Sequence, residues 1–280
     1  MIAATDKRRT LHRMTMTSQI QPLADNLLDD VLNILSEDSL SNIVMIADCT
    51  QLREWCDVRV LIGDGRINAV FSLYSDLDFL ATAFWCRNVE SLQRIMGDYS
   101  SMLVGKEFVA ICTKEQLDQF EEACVVLSPT KERQMVADRT TNLQCDCKST
   151  PVRLSMKDAD QLKNLYRLTG TPAWTPNAMN LGPFYGIVED DEEITAVAGV
   201  HYVTPYGAEI GNIATHPDHR RKGYAAACLK AVSEDVLENS ERVILHYFAD
   251  NIPAQRLYER MGFEYSDADP VYFVRATCAE

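Results

Sequence analysis

Between His216 and Lys230 the chain reads HPDHRRKGYAAACLK, in which three consecutive cations and a glycine lead straight into an alanine-rich, helix-forming run. A helix N-terminus exposes unpaired backbone N–H groups and the positive end of the helix dipole, so its natural ligand is an anion. Gly223 removes the Cβ that would keep a phosphate from the backbone, and Arg220, Arg221 and Lys222 add charge at the same point. After Tyr224, the small residues Ala225, Ala226 and Ala227 leave room for a bulky ligand to lie against the helix start. The pattern points to a pyrophosphate. Taken alone, the same residues also fit a solvated basic turn ahead of an ordinary amphipathic helix.

The surroundings make that cluster stand out. The net charge is −14 and is shared evenly by the two halves of the chain, a balance that repels phosphate backbones and argues against nucleic acid as a partner. A length of 280 residues is ample for two domains, each with its own core. No apolar run approaches the roughly 20 residues of a membrane span, so no membrane partner is expected. The nine cysteines are odd in number and follow no disulfide-scaffold spacing, as expected in a reducing cytoplasm. Cys145 and Cys147 form an isolated C-x-C with no matching pair and read as linker cysteines, and no metal is expected. Residues 1–18, with Lys7, Arg8, Arg9 and Arg13, read as a disordered extension rather than a transit peptide.

A polar stretch without periodicity, RTTNLQCDCKST, precedes Pro151 and divides the chain. The expected organisation is a first domain over 19–140, a linker over 141–150 and a second domain over 151–280. In the second, a strand at PVRLS and a helix from Lys157 to Leu168 lead to a meander of three strands, FYGIVED, ITAVAGVHYV and AEIGNIAT. A helix from Lys222 to Leu237, a strand RVILHYFA, a helix from Pro253 to Met261 and a last strand VYFVRA follow. The first half has a similar order: a helix over Pro22 to Leu35, strands DVRVLIG, INAVFSLY and LDFLATAFW, a helix from Val89 to Met102, a strand EFVAICT and a helix from Lys114 to Cys124. The fold class is therefore α/β with a mixed, mostly antiparallel sheet flanked by helices, used twice. Only the second copy carries the glycine and the basic cluster after its third strand.

Two segments, IATHPDHRRKGYAA (Ile213–Ala226) and NIPAQRLYERMGF (Asn251–Phe263), resemble the two hallmark motifs of the GNAT superfamily of acetyl-CoA-dependent N-acetyltransferases, in the expected order and separated by one strand. The resemblance covers about residues 150–276 and implies the GNAT fold, in tandem, with a degenerate first copy as in glycine N-acyltransferase-like proteins. It implies that Arg220 to Ala226 wraps the coenzyme A pyrophosphate. It also implies that Ile213, Ala214 and Thr215 lie on a splayed strand whose free backbone groups bond the pantetheine arm as an added strand would. Asn251 matches a cofactor-contacting side chain, and Tyr258 matches the usual general acid. The bland alternative for Tyr258 is a core tyrosine.

The implied activity is transfer of an acetyl or short acyl group from acetyl-CoA to a primary amine, by direct attack in a ternary complex. That chemistry needs a deprotonated amine and an acid for the leaving thiolate. Two residues compete as base, Glu209 and His246, each matching the base of a different branch of the superfamily. His246 needs less tuning to act near neutral pH, although it also fits a core-lining histidine, and Glu209 fits a solvated strand-edge carboxylate. Trp174, Phe184 and Tyr185 are expected to line the acceptor cleft, and the acidic surface favours a cationic small-molecule or peptide amine. The alternative from another class is a non-catalytic acyl-CoA-binding sensor. The sequence leaves the oligomeric state open.

Overall fold

The computed structural model describes residues 18–171, 174–189 and 193–278. The expected N-terminal extension, apart from residue 18, lies outside the described residues. In the first half, β1 (Gln19–Pro22) precedes helices α1 (Asp25–Ser36) and α2 (Ile43–Cys49) and the meander β2 (Cys56–Gly63), β3 (Arg66–Tyr74) and β4 (Leu80–Cys86). Helices α3 (Val89–Asp98) and α4 (Ser100–Leu103), strand β5 (Glu107–Thr113), helix α5 (Lys114–Ala123) and the long strand β6 (Val125–Asp138) complete it. Asp64 and Gly65, both left-handed at φ 58° and 71°, close the β2–β3 hairpin with the twist that two-residue turns require.

The second half repeats the order with β7 (Val152–Arg153), α6 (Ala159–Thr169), α7 (Ala178–Leu181), β8 (Phe184–Val188), β9 (Ile194–Thr204) and β10 (Gly207–Thr215). Then come α8 (Tyr224–Val236), β11 (Arg242–Phe248), α9 (Ile252–Met261), β12 (Glu264–Tyr265) and β13 (Val271–Thr277). The helix expected as one piece from Val89 to Met102 is broken at Tyr99, whose hydroxyl is drawn inward to the Asp57 and Phe71 carbonyls. The strand β1, the helix α2 and the strand β6 were not foreseen from the sequence.

Among the described residues thirteen strands join one sheet, in the order β1-β2-β3-β4-β5-β13-β6-β11-β10-β9-β8-β7, with β12 on β6. The two halves exchange strands. The C-terminal β13 pairs with β5 through Val271↔Thr113 to Thr277↔Glu107, inside the first half's sheet, while β6 of the first half pairs with β11 through Arg242↔Asp138 to Phe248↔Glu132. Ladder hydrogen bonds therefore run without interruption across the expected 141–150 connection, whose residues 141–148 are neither helix nor strand.

On one face of the second half's strands, Leu162 and Tyr166 of α6, Leu229 and Val232 of α8 and Tyr258 and Met261 of α9 share one core cluster with Val243, Leu245 and Tyr247 of β11. On the opposite face lies α2. Its Met45, Ile46 and Cys49 meet the first half's strands, and its Ile43 and Ala47 meet Tyr202 of β9 and Ile244 of β11. Ile43, Met45 and Ile46 are fully buried, each contributing about 1.5–3 kcal/mol. One helix is thus clamped between the two halves, over the strand face that carries His246.

Candidate functional site

The parallel strands β10 and β11 pair at only two positions among the described residues, Ala208↔Val243 and Glu209↔Ile244. Beyond them the strands part. The cause is a bulge in β10 between Gly211↔Gly199 and Ala214↔Val197, with Asn212 in the left-handed region at φ 49°. Tyr166 of α6 pins it by donating its hydroxyl to the Asn212 carbonyl at 3.0 Å. Glycine is required on both strands there, since a Cβ on Gly199 would overlap the Phe184 ring and one on Gly211 the His201 ring. Ile213, Ala214 and Thr215 follow the bulge, with Ala214 and Thr215 bound to β9 on one edge and the gap toward β11 on the other.

At the end of that gap stands α8. Its N-cap is Gly223 at φ 83°, its first turn holds no acid and, among the described residues, no side chain caps it, so its N–H groups and dipole are left to an anion. Arg221 (φ 65°), Lys222 and Gly223 are exposed, and Arg220 donates from Nε to the Thr215 carbonyl at 3.4 Å. Glu189, at the end of β8, ties the loop down: its Oε1 lies 2.7 Å from the Tyr224 hydroxyl, 3.3 Å from His219 Nδ1 and 3.9 Å from Lys222 Nζ. The Tyr224 hydrogen bond, with His219 and Lys222, holds the Glu189 carboxyl below its ordinary range. A Cβ on Gly223 would face the Cys147 Cβ at 3.1 Å. The glycine is needed for its left-handed φ and for the linker packed against it, a different reason from phosphate approach. Ala226 and Ala227 turn into the core, and Ala225 is half-buried.

The first half shows what a closed version looks like. Its parallel pair β4 and β5 also parts, after Thr82↔Ala110. There Gln116 of α5 donates to the Phe84 carbonyl at 3.3 Å and Cys86 contacts Gln119 at 3.3 Å, bridging α5 to β4. The helix α3 is capped by the Asn88 side chain, which accepts from Ser91 N, and carries Glu90 in its first turn. A capped, acid-bearing helix start beside a bridged strand does not invite an anion.

On α9, Asn251 is the exposed N-cap, its Oδ1 accepting from Ala254 N at 3.2 Å. Tyr258, about two turns along, is 6% exposed and lies against the rings of Tyr247, 5.4 Å away, and Phe263, 6.1 Å away. Burial pushes its phenol well above the usual range.

Glu209 and His246, read from the sequence as rival bases, are neighbours. Glu209 Oε1 lies 3.1 Å from His246 Nδ1, with the side chains 8% and 5% exposed. Burial alone would raise the Glu209 pKa, but the His246 charge and hydrogen bond, helped by His201 and Tyr202, bring it to about 2. For His246, burial disfavours the cation, and the charges of Glu209 and Glu132 outweigh it and raise the pKa. Glu132, on β6, is pushed up to about 7 by burial, and its Oε2 has no hydrogen-bond partner among the described residues. Because side chains alternate along a strand, His246 and Tyr247 point to opposite faces of β11. Tyr258 therefore lies on one face and the Glu209–His246 pair on the other, with the gap beside β11 between them.

The acceptor-cleft residues are dispersed. Phe184 is a core side chain, 1% exposed, closing over Gly199. Tyr185 points to α8, donating to Asp235 Oδ2 at 2.8 Å. Trp174 packs on Tyr166 at 5.1 Å with its indole N–H buried and without a hydrogen-bond partner among the described residues. Sequence reasoning missed Gln134, whose Nε2 is 2.9 Å from His246 Nε2, together with Glu132, because β6 was not read as a strand. The sequence carries no signal for it, because Lys131, Glu132, Arg133 and Gln134 are uniformly polar and show no strand alternation.

Residues 148–263 match the sequence model of the acetyltransferase (GNAT) family. A search of curated proteins returned no match. Among solved structures, a Drosophila protein superposes with a TM-score of 0.71 at 14% identity, covering 92% of this chain and 98% of its own. A tandem GNAT protein from the clavulanic acid biosynthesis pathway gives 0.62 at 13% identity, covering 94% and 98%. An acetyltransferase of the GNAT family from Novosphingobium aromaticivorans gives 0.59 at 21% identity, covering 75% and 89%. At these identities the likeness is one of fold, and it extends over both halves.

Proposed function

We propose that this chain, whose residues 148–263 form a domain of the GNAT acetyltransferase family, transfers an acetyl or short acyl group from acetyl-CoA to a primary amine. The observation that carries the reading is the gap beside β10 with a bare, glycine-led helix start at its end, open in the second half and bridged in the first. Such a gap suits a slender pantetheine arm, with the backbone of Ile213, Ala214 and Thr215 as its partner strand. The N-terminus of α8, with Arg220 to Ala226, would hold the pyrophosphate, and Asn251 would contact the cofactor beside it. On this reading the catalytic domain is 151–280, joined by 141–150 to a degenerate copy over 19–140. All nine cysteines are free, which suits the expected cytoplasm.

Acetyl-CoA, when bound, supplies an activated thioester carbonyl. The chain's part is to hold that carbonyl beside the amine and to manage two protons. The amine nitrogen bonds to the acyl carbon, the carbon–sulfur bond breaks, and the amine's proton leaves toward the Glu209–His246 pair. Tyr258, protonated at neutral pH, returns a proton to the departing thiolate. The carboxylates of Glu132 and Glu209 on the opposite face favour a cationic acceptor.

An acceptor screen tests this. Thiol release from acetyl-CoA would be followed with amino acids, polyamines, aminoglycosides and peptides. Amine-dependent release, lost in Tyr258→Phe, supports the reading. Saturable acetyl-CoA binding with no turnover on any acceptor would replace it with that of an acyl-CoA sensor.

A further inference from the structure

We infer that Gln134, contributed by the first half of the chain, is a positioning residue of the proposed site: its amide N–H occupies Nε2 of neutral His246 and leaves the ring's one proton on Nδ1, the ring nitrogen nearer Glu209. The inference rests on the reading of Glu209 and His246 given above. Gln134 is 1% exposed and sits directly opposite His246 in the β6–β11 ladder. Its two amide ends are told apart by their neighbours. Ser266 donates its hydroxyl to Oε1 at 2.6 Å, while the Ser266 oxygen accepts from Ala268 N at 3.2 Å. At the other end Nε2 faces the Leu40 carbonyl at 3.4 Å and His246 Nε2 at 2.9 Å.

An amide nitrogen only donates, so His246 Nε2 must offer its lone pair. The ring proton of the neutral imidazole is then on Nδ1, 3.1 Å from the Glu209 carboxylate, which only accepts. Hydrogen bonds run from Ser266 through Gln134 to His246 Nε2, and on the other side of the ring Nδ1 lies 3.1 Å from the Glu209 carboxylate as a close electrostatic contact. An imidazolium would set N–H against N–H at Gln134, so the amide favours the neutral ring against the charges that favour the cation. The titratable groups facing this ring are Glu209 of β10, Glu132 of β6 and His201 of β9; Tyr202 of β9 faces Glu209. From the α2 side the ring meets a crevice lined by Leu40, Ile43 and Val44.

The roles of the two rivals follow. While Gln134 is in place, the Nε2 lone pair of the neutral ring is engaged and is not free for the amine's proton. Glu209 receives it at a carboxylate oxygen, and His246 holds Glu209 in position. The degenerate half thereby supplies part of the machinery it no longer completes itself.

The test is histidine ¹⁵N NMR on the full chain at alkaline pH, where the ring is neutral, with the His246 signal identified by its loss in His246→Gln. The expected wild-type spectrum shows Nδ1 protonated and Nε2 bare. Gln134→Glu replaces the donor with a carboxylate, and should raise the His246 pKa by about 1–3 units. Ser266→Ala, a milder change for use if that variant does not fold, releases the amide and should also raise it. An Nε2–H tautomer in the wild type, or a His246 pKa unmoved in a folded variant, overturns the inference. The spectra need no acceptor, so an empty acceptor screen would sink the proposed reaction and leave this result standing.

Discussion

Glu209 and His246 meet 3.1 Å apart on neighbouring strands, immediately before those strands separate. Their titrations are therefore coupled, and neither behaves as an isolated residue. With the Glu209 carboxyl held at about 2, a rate dependent on Glu209 should show no acidic limb near neutrality. Glu209→Gln should lower turnover by about 10²–10⁴-fold across the pH range. An acidic limb above 6.5, abolished by His246→Gln and not by Glu209→Gln, would return the base role to histidine.

The same pair sets a pH window of stability. Glu209's pKa falls on folding from an ordinary 4.5, so its contribution is present above 4.5 and lost as pH drops through about 2. His246's pKa rises on folding, so its contribution is complete below 6.5 and lost as pH climbs through the raised value. Thermal unfolding of the wild type against Glu209→Gln should converge at acid pH and diverge between these limits, by on the order of 3 kcal/mol. Parallel curves at every pH would show that the pair does not titrate as placed.

Tyr258→Phe should reduce turnover by about 10²–10⁴-fold while changing the acetyl-CoA Michaelis constant little. Because burial raises the phenol's pKa, the wild type should keep its activity through the alkaline range in which a free tyrosine ionises. Full turnover in the variant would leave Tyr258 as packing for Tyr247 and Phe263.

Gly223→Ala is a sharper probe of the loop than a bulkier change. At φ 83° an L side chain costs about 1–2 kcal/mol, and its Cβ would press on Cys147. Calorimetry on the full chain should show acetyl-CoA affinity falling at least tenfold with a small loss in Tm. Undiminished binding would place the pyrophosphate elsewhere than at the start of α8.

Much of this was legible in the sequence, for a physical reason in each case. The loop ahead of α8 is read from glycine and charge alone, and α9 from Asn251, Pro253 and Gly262, which start and stop a helix wherever they occur. β6 was hidden because VVLSPTKERQMVAD carries a proline and a run of charges that read as a loop. Those charges are accommodated by pairing: Arg133 forms a bidentate bridge to Asp269. With β6 unread, Gln134 cannot be set beside His246, and the contacts of Phe184 with Gly199 and of Tyr185 with Asp235 join residues distant in sequence.

The strand exchange makes the halves inseparable. Removing residues 271–280 would strip β5 and β6 of the strand between them and expose Phe108 and Phe120, now fully buried. The truncated chain should lose cooperative unfolding and bind a hydrophobic dye. A truncated chain with wild-type Tm would show that the exchanged strand is dispensable.

That pairing also fixes an order of events during synthesis. The first half leaves the ribosome early, but the strand that fills the place between β5 and β6 is made after every other element described here. Until then two ladder edges stand open, competent to pair with each other or with another chain. The molecule's slow step should be the arrival of β13, and refolding at rising protein concentration should lose yield to intermolecular strand pairing before any such loss appears in the finished protein.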